Sequence, residues 1–252
     1  VIAKFLNAGS EHEIVFTTGT TEAINLVSYA WAAPRLQPGD EIVLSVMEHH
    51  ANIVPWQFHC QQYGVLLDVI PLDANCQLDL DEYQRLLALK PKVVSLAQVS
   101  NVLGHIQPVA AMVQQAKAAG AITIIDGAQG ILLQQPDMQQ LACDFYVFSG
   151  HKIYGPTGIG VLYGKLPQLE LLRPMLYGGE MIRQVSFSGT SLNQLPYRLG
   201  RELMRQAVLM AARDELGALA RHLDELLDVI DDKTRALQEW AQSLDHKVAE
   251  RT

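Results

Sequence analysis

The sequence has few cysteines and no excess of positive charge. Its 252 residues include 3 cysteines, an odd and low number that argues against a disulfide framework and fits a reducing compartment. The net charge of -8 argues against unassisted binding to nucleic acid or to an anionic membrane. No apolar run reaches the length of a membrane span, and the first residues lack the pattern of a signal peptide. The sequence therefore predicts a cytoplasmic protein without a nucleic-acid or membrane partner.

Clusters of metal ligands are missing as well. His49 and His50 are adjacent, so their imidazoles point in different directions, and no carboxylate or thiolate cluster with suitable spacing lies near them. We therefore predict no metal site. His49 follows the second predicted strand, where an imidazole could stack on a flat cofactor ring. The alternatives are a metal ligand and an ordinary loop histidine.

What the sequence does contain is an alternation of strands and helices. With 49% hydrophobic and 18% charged residues, it has enough apolar surface for a substantial core. Apolar runs predict strands at 13–16, 41–47, 66–72, 93–99, 121–126, 144–148 and 158–163. Helices are predicted between them at 22–33, 53–63, 80–89, 109–119 and 138–141. The alternation predicts an α/β fold with a mostly parallel, seven-stranded sheet.

A lysine follows the sixth predicted strand. Lys152 lies between the apolar run 144–148 and the glycine-rich turn 154–158, which indicates a buried strand that delivers the side chain onto a loop. Between apolar walls the charged form of a lysine is disfavoured, and a neutral amine is what Schiff-base chemistry requires. The alternative is a solvated lysine at a strand end.

An acid ends the strand before it. Asp126 follows the apolar residues 123–125, at the carboxyl end of a predicted parallel strand, where open α/β sheets bind ligands. An acid and a lysine together suit pyridoxal phosphate, which needs an amine for its aldehyde and a carboxylate for its ring nitrogen. The alternative role for Asp126 is the N-cap of the next helix.

A phosphate site is predicted at the start of the first long helix. The segment 17–22 joins a strand to a helix, and its Gly-Thr-Thr offers backbone N–H groups and the hydroxyls of Thr20 and Thr21. The alternative is a capping box, with a threonine as N-cap and Glu22 in the first turn. A capped helix start can still hold a phosphate.

Five motifs occur in the order and spacing of a known family. Residues 18–27 resemble the phosphate loop of the class V aminotransferase superfamily. Residues 47–56, 99–104, 126–129 and 148–158 are similar to group II cysteine desulfurases and selenocysteine lyases. The match runs from Val1 to about Leu199 and implies the large domain of a pyridoxal phosphate (PLP) enzyme of fold type I at 1–199.

The resemblance implies a role for each motif residue. Lys152 would bond covalently to PLP, Asp126 would pair with the ring nitrogen, and His49 would stack on the ring. The catalytic residues would be Lys152 and His49. Gln129 would hydrogen-bond the ring oxygen, and Asn101 would lie near that oxygen and the bound substrate. The phosphate ligands would be Thr20, Thr21, Ser149 and His151.

The implied reaction converts L-cysteine to L-alanine and transfers the sulfur to an enzyme thiol and then to an acceptor protein. Selenocysteine is the other implied substrate, and a homodimer is the implied assembly.

The chain begins at Val1 without methionine, so we expect the family's N-terminal segment to be missing. None of Cys60, Cys76 and Cys143 matches the family's nucleophilic cysteine, and the carboxylate-binding arginine is not found. We therefore expect impaired desulfuration; the alternatives are a thiol-independent PLP lyase or aminotransferase, or a non-catalytic remnant.

The composition changes near residue 200. Residues 201–252 contain no proline and one glycine, and their leucines recur by threes and fours. This spacing predicts a helical tail at 200–252, unrelated to the family's small domain. The tail would either pack on the large domain as amphipathic helices or join subunits as a helical hairpin.

Overall fold

The computed structural model describes residues 1–175, 181–195 and 197–199. Its main feature is a seven-stranded sheet with the order β1-β7-β6-β5-β4-β2-β3. The strands are β1 (Ile14–Thr17), β2 (Glu41–Ser45), β3 (Leu66–Ile70), β4 (Val93–Ala97), β5 (Ile122–Asp126), β6 (Phe145–Ser149) and β7 (Gly160–Gly164). Strands β2 to β6 pair in parallel, whereas β7 is antiparallel to β6 and β1. The predicted α/β fold and its mostly parallel sheet are confirmed.

Helices connect the strands. They are α1 (Ile2–Phe5), α2 (Thr20–Leu26), α3 (Val54–Tyr63), α4 (Leu80–Ala88), α5 (Val109–Ala118), α6 (Gly130–Leu133), α7 (Met138–Leu141) and α8 (Leu166–Glu170). A π-helix at Val27–Ala32 continues α2, so the helix predicted at 22–33 exists but changes its winding. Helix α3 ends at Gly64, whose φ of 66° is the left-handed conformation that glycine adopts without strain. Among the described residues, none of the helices combines the length and apolar character needed to cross a membrane.

Both faces of the sheet are covered, which explains the near-continuous apolar runs. Neighbouring residues of one strand point to opposite faces. In β5, Ile125 packs with Tyr83 and Met112 on the face covered by α4 and α5. Ile124 packs with Trp56 on the other face, where α2, the π-helix and α3 lie. A strand that is buried on both sides has no polar alternation.

The C-terminal part of the chain contains one hairpin that was not predicted and one segment that the structure does not describe. Strands β8 (Ile182–Ser186) and β9 (Gly189–Leu192) form a separate antiparallel hairpin that the sequence pattern did not predict. Most of its residues are exposed, so it lacks the apolar alternation by which strands are recognised. The helical tail predicted at 200–252 lies outside the described residues, and the domain boundary near residue 199 stays a prediction.

Candidate active site

All nine residues predicted for the site line one cavity of about 260 Å³. The cavity lies where β4, β5 and β6 end and α2 begins, since the carboxyl ends of adjacent parallel strands meet at one edge of the sheet. The predicted residues that line it are Thr20, Thr21, His49, Asn101, Asp126, Gln129, Ser149, His151 and Lys152. The sequence patterns did not single out the four apolar wall residues Ala51, Ala97, Val99 and Ala128. The structure thus brings together every predicted side chain, and their individual roles stay predictions.

Lys152 lies on a 3-10 turn, Gly150–Ile153, directly after the fully buried strand β6. The turn is closed by two backbone hydrogen bonds, from Gly150 N–H to Ile159 O at 2.8 Å and from Gly155 N–H to Gly150 O at 2.9 Å. A Cβ at Gly155 would lie 3.0 Å from the Gly150 oxygen, so a larger residue there would crowd the second bond. The buried strand and the closed turn fix the half-buried lysine at the cavity wall.

Asp126 is the last residue of β5 and is 4% exposed. Its Oδ1 accepts a hydrogen bond of 2.9 Å from Ala128 N–H, which orients the carboxylate. Burial raises the pKa of Asp126, and the Ala128 N–H, His49 and Lys152 oppose that rise. Asp126 therefore shares an electrostatic environment with the two predicted catalytic residues. It does not cap the next helix, because the residue at the start of α6 is Gln129.

The residues after Asp126 pack tightly beneath the cavity. An added Cβ at Gly127 would overlap the Tyr146 ring, and one at Gly130 would overlap the Gln98 amide. Tyr146 and Gln98 are themselves joined by a hydrogen bond of 2.6 Å from the phenol to Oε1. Only glycine fits at these two positions, so the loop that carries Gln129 rests directly on the core.

Three hydroxyl-bearing residues and an imidazole form another part of the cavity lining. Ser149 Oγ accepts a hydrogen bond of 2.8 Å from Thr20 N–H and lies 2.8 Å from Thr20 Oγ1. The Thr20 N–H, one of the backbone groups at this helix start, is therefore donated inside the protein, and the phosphate site stays a prediction. The hydroxyls of Thr20, Thr21 and Ser149 and the ring of His151 remain as cavity-lining groups.

The start of α2 is capped differently from the predicted capping box. Its N-cap residue is Gly19, which makes no side-chain cap hydrogen bond, so a threonine N-cap is wrong. The Glu22 carboxylate reaches back and accepts a hydrogen bond of 2.5 Å from Thr18 N–H. An added Cβ at Gly160 would overlap the backbone of Gly19, because β7 begins directly against this turn. Close packing of two glycines thus brings Thr20 beside Ser149.

His49 is exposed and lies at the start of a 3-10 turn, His50–Asn52. Its Nδ1 accepts a hydrogen bond of 3.2 Å from Ala51 N–H. A backbone N–H can only donate, so the neutral ring carries its proton on Nε2. Asn101 is also exposed, on a turn where Ser100 Oγ accepts hydrogen bonds from the N–H groups of Val102 and Leu103.

Sequence reasoning missed Glu48, which lies behind the cavity wall. It is 7% exposed and accepts three hydrogen bonds, from Ser45 Oγ at 2.5 Å, Asn52 Nδ2 at 2.7 Å and Ala97 N–H at 3.0 Å. Burial raises its pKa to about 7, against the effect of these three hydrogen bonds and together with the nearby charge of Asp126. The available signal was an acid directly before His49 at the end of an apolar strand.

None of the three cysteines lines the cavity. Cys60 is half-buried in α3, and Cys76 is exposed in a turn where its φ is 59°. Cys143 is buried, and burial raises the pKa of its thiol to about 12. Within the described part of the chain, no group of three or more His, Cys, Asp and Glu side chains is arranged to hold a metal ion.

Comparisons with known proteins find similar cysteine desulfurases. The chain is 49% identical over 224 residues to the cysteine desulfurase of Pectobacterium atrosepticum, and the aligned region covers 87% of this chain and 55% of that protein. It is 47% identical over 242 residues to the cysteine desulfurase of Serratia proteamaculans, at 95% and 59% coverage. The crystal structure of the cysteine desulfurase CsdA (S-sulfonic acid) from Escherichia coli has a TM-score of 0.76 at 48% identity, covering 79% of this chain and 50% of that one.

The chain thus spans about half the length of the curated relatives it matches. The sequence model of the family described as aminotransferase class-V matches residues 1–241, which extends past residue 199, the end of the resemblance read from the motifs. The resemblance to cysteine desulfurases is confirmed. This chain belongs to the aminotransferase class-V family.

Proposed function

We propose that this chain binds pyridoxal phosphate and contributes the cofactor site of a cysteine desulfurase. The observation that carries the proposal is the convergence of Lys152, Asp126 and His49 with a set of hydroxyl groups on one cavity. The relatives named as cysteine desulfurases support L-cysteine as the substrate. Selenocysteine as an alternative substrate, a homodimer, an acceptor protein and a cytoplasmic location stay predictions.

The residues present fit the cofactor by their chemistry. PLP carries an aldehyde, a basic ring nitrogen and a phosphate, and the cavity offers an amine, a buried carboxylate and several hydroxyl donors for them. The carboxylate of Asp126 is held in a fixed orientation by Ala128 N–H. A buried carboxylate is costly unless a positive partner compensates it, and a protonated ring nitrogen is such a partner.

When bound, PLP supplies an electron-poor ring that stabilises negative charge on the substrate carbon. Lys152 Nζ would hold the cofactor through its aldehyde, and the same amine would move a proton at the substrate carbon. Asp126 would keep the ring nitrogen protonated, while the His49 imidazole would cover the ring and exclude water. Thr20, Thr21, Ser149 and His151 anchor the phosphate, with the hydroxyl pair of Thr20 and Ser149 already joined at 2.8 Å.

Transfer of the sulfur to an enzyme thiol is the step that the positions of the chain's cysteines support least. None of them lines the cavity, and burial raises the pKa of the Cys143 thiol to about 12, which disfavours the nucleophilic thiolate. With an added thiol as acceptor the reaction balances: cysteine and two thiols give alanine, hydrogen sulfide and one disulfide. The cysteine positions also favour a second candidate, a PLP-dependent lyase that needs no enzyme thiol.

Cofactor binding can be tested with the chain as it exists. PLP added to the protein should produce a visible absorbance band that borohydride removes, and Lys152→Ala should abolish that band. Lys4→Ala is the control, because Lys4 is exposed on α1 and does not line the cavity. A borohydride-sensitive band that persists in Lys152→Ala overturns the assignment of the lysine. No binding by the unmodified chain overturns the proposed function.

The reaction is tested next, with cysteine and an added dithiol. Equal release of alanine and sulfide supports desulfuration, whereas a 2-oxo acid in place of alanine supports the lyase or an aminotransferase. Sulfide release that is lost in Cys60→Ser, Cys76→Ser or Cys143→Ser would identify a nucleophile within the chain and would contradict the need for an external thiol.

A further inference from the structure

Glu48 lies outside the cavity, yet its hydrogen bonds converge on two segments that form the cavity wall. Ala97, which donates its N–H to Glu48 Oε1, lines the cavity and pairs in register with Asp126. His49, the next residue after Glu48, lines the cavity from the other side. A single buried carboxylate therefore joins the end of β4 to the turn that carries the predicted stacking imidazole.

Asn52 extends this connection on the far side of the same turn. Its Nδ2 donates to Glu48 Oε2, and its Oδ1 accepts from Ser95 Oγ at 2.6 Å and from Trp56 Nε1 at 3.1 Å. Asn52 and Trp56 are both completely buried, and Ser95 belongs to β4. The 3-10 turn is thus anchored at both ends, through Glu48 at its beginning and through Asn52 at its end.

The pattern of donors requires an acceptor at Glu48. Ala97 N–H is an obligate donor, and the Asn52 amide is oriented by the donor Trp56 Nε1 on its oxygen side, which leaves its nitrogen facing Glu48. Ser45 Oγ accepts a hydrogen bond from Met47 N–H, and its hydroxyl proton is therefore free to be donated to Glu48 Oε1. The titratable group whose charge acts on Glu48 from another strand is Asp126, which ends β5 on the far side of β4.

We propose that Glu48 is a positioning residue, which fixes the His49 turn to β4 and so holds the imidazole over the cavity before any ligand binds. The consequence for the cofactor ring rests on the proposed function, whereas the position of His49 in the ligand-free chain does not. Preorganisation of this kind lowers the ordering cost of binding, because the turn need not be immobilised when the ligand arrives.

The ligand-free chain provides the first test. With ¹⁵N-labelled histidine at a pH where the ring is neutral, the Nδ1 signal of His49 should report an acceptor nitrogen, since Ala51 N–H donates to it. Glu48→Ala should shift this signal towards that of an unrestrained imidazole. In Glu48→Gln the side-chain oxygen can still accept from Ala97 N–H, but the side-chain NH₂ group would face the NH₂ group of Asn52, where neither can accept. Only part of the connection is lost, so a smaller shift in the same direction is expected.

Asp144→Asn is the matched control. Asp144 is 5% exposed, accepts two hydrogen bonds from Thr123 and does not line the cavity, so its substitution perturbs a buried carboxylate elsewhere in the same sheet. The His49 signal should not move in this variant. An unchanged His49 signal in both Glu48 variants, or an equal shift in Asp144→Asn, overturns the proposal. If Glu48→Ala does not fold, Glu48→Gln alone decides.

The second test is the dissociation constant of PLP. Glu48→Gln should weaken binding about 10-fold, the effect of losing roughly one buried hydrogen bond, and Asp144→Asn should leave the constant unchanged. Weakened binding without a shift of the His49 signal contradicts positioning as the cause. If the unmodified chain does not bind PLP while the His49 signals still shift as expected, the proposed function fails and the assignment of Glu48 stands.

Discussion

The two ends of the sheet hold a buried acid in different ways. At the amino end, Asp144 is 5% exposed and accepts hydrogen bonds from the N–H and the hydroxyl of Thr123, both at 2.9 Å. Lys165 Nζ lies 3.8 Å from its other oxygen and also donates to the Ala142 carbonyl. Both carboxylate oxygens of Asp144 therefore have partners within the protein, and neither is left for a ligand.

At the carboxyl end, Asp126 is 4% exposed but accepts its hydrogen bond from a single backbone group, Ala128 N–H. Lys152 and His49 act on it electrostatically across a cavity. Burial alone therefore does not distinguish a structural acid from a candidate functional one. The difference lies in whether the cation is bound to the acid or held at a distance with space between them.

The largest expected effect compares glycines at the two ends. Gly127→Ala would drive a methyl group into the rigid Tyr146 ring, and we expect it to lower the free energy of unfolding by about 3 kcal/mol. At the amino end, the methyl group of Gly164→Ala would meet the buried Leu169 side chain at 2.6 Å and the Phe145 ring at 3.0 Å. These contacts are longer than those at Gly127, so a smaller loss of about 2 kcal/mol is expected. Urea unfolding of both variants measures the difference, and equal losses would contradict a rigid floor beneath the cavity.

The pH dependence of stability should come from the carboxyl end. The pKa of Glu48 is raised from 4.5 to about 7 in the folded protein, so its contribution to stability is fully present below pH 4.5 and is lost as the pH rises through 7. The loss amounts to about 3 kcal/mol, since one pKa unit corresponds to about 1.4 kcal/mol. The raised pKa of Asp126 acts in the same direction.

Unfolding of the ligand-free chain at several pH values between 4.5 and 7 measures this loss. Glu48→Gln should show a clearly smaller decrease over the same interval, because the residue that titrates has been removed. Identical pH profiles for the two proteins would mean that Glu48 keeps an ordinary pKa.

Exchanging the two acids for amides should separate binding from stability. Asp144→Asn loses the Lys165 ion pair and should cost about 2 kcal/mol of stability, with PLP affinity unchanged. Asp126→Asn keeps an oxygen for Ala128 N–H and removes a buried charge, so stability should not fall. Its PLP affinity should fall about 100-fold, because the ring nitrogen loses its ionised partner. A loss of stability in both variants would erase the contrast between the two ends.

The smallest effect concerns the thiols. Cys76 is exposed and should react rapidly with a thiol reagent, whereas Cys143, buried beside Asp144 with a pKa of about 12, should react only after unfolding. Neither Cys76→Ser nor Cys143→Ser should alter PLP affinity, because neither residue lines the cavity. Fast labelling of Cys143 in the native protein would show that the amino end opens more readily than its packing indicates.

Much of the fold follows from local pattern. Each of the seven strands of the sheet overlaps a predicted strand. The inner strands β4 to β6 are apolar runs because they are covered on both faces and have no polar alternation, whereas the edge strand β3 is only partly buried. The ends are less well predicted: β2 stops at Ser45 rather than at residue 47, since the Ser45 hydroxyl binds Met47 N–H and Glu48 and turns the chain. The antiparallel direction of β7 has no local signature, because a strand's periodicity is the same in either direction.

For the site, the sequence by itself determined which chemical groups are present and that each lies just after a strand or at a helix start. Lys152 after an apolar run and Asp126 at the end of another suggested a PLP site, and the five motifs of the family resemblance made the prediction specific. The tertiary structure alone decided which groups touch. Thr20 meets Ser149 across 129 residues, and Glu48 meets Ala97 across 49. Such contacts depend on the order of strands in the sheet, which local periodicity does not encode, so neither the hydrogen bond from Thr20 N–H to Ser149 nor the contacts of Glu48 were foreseen.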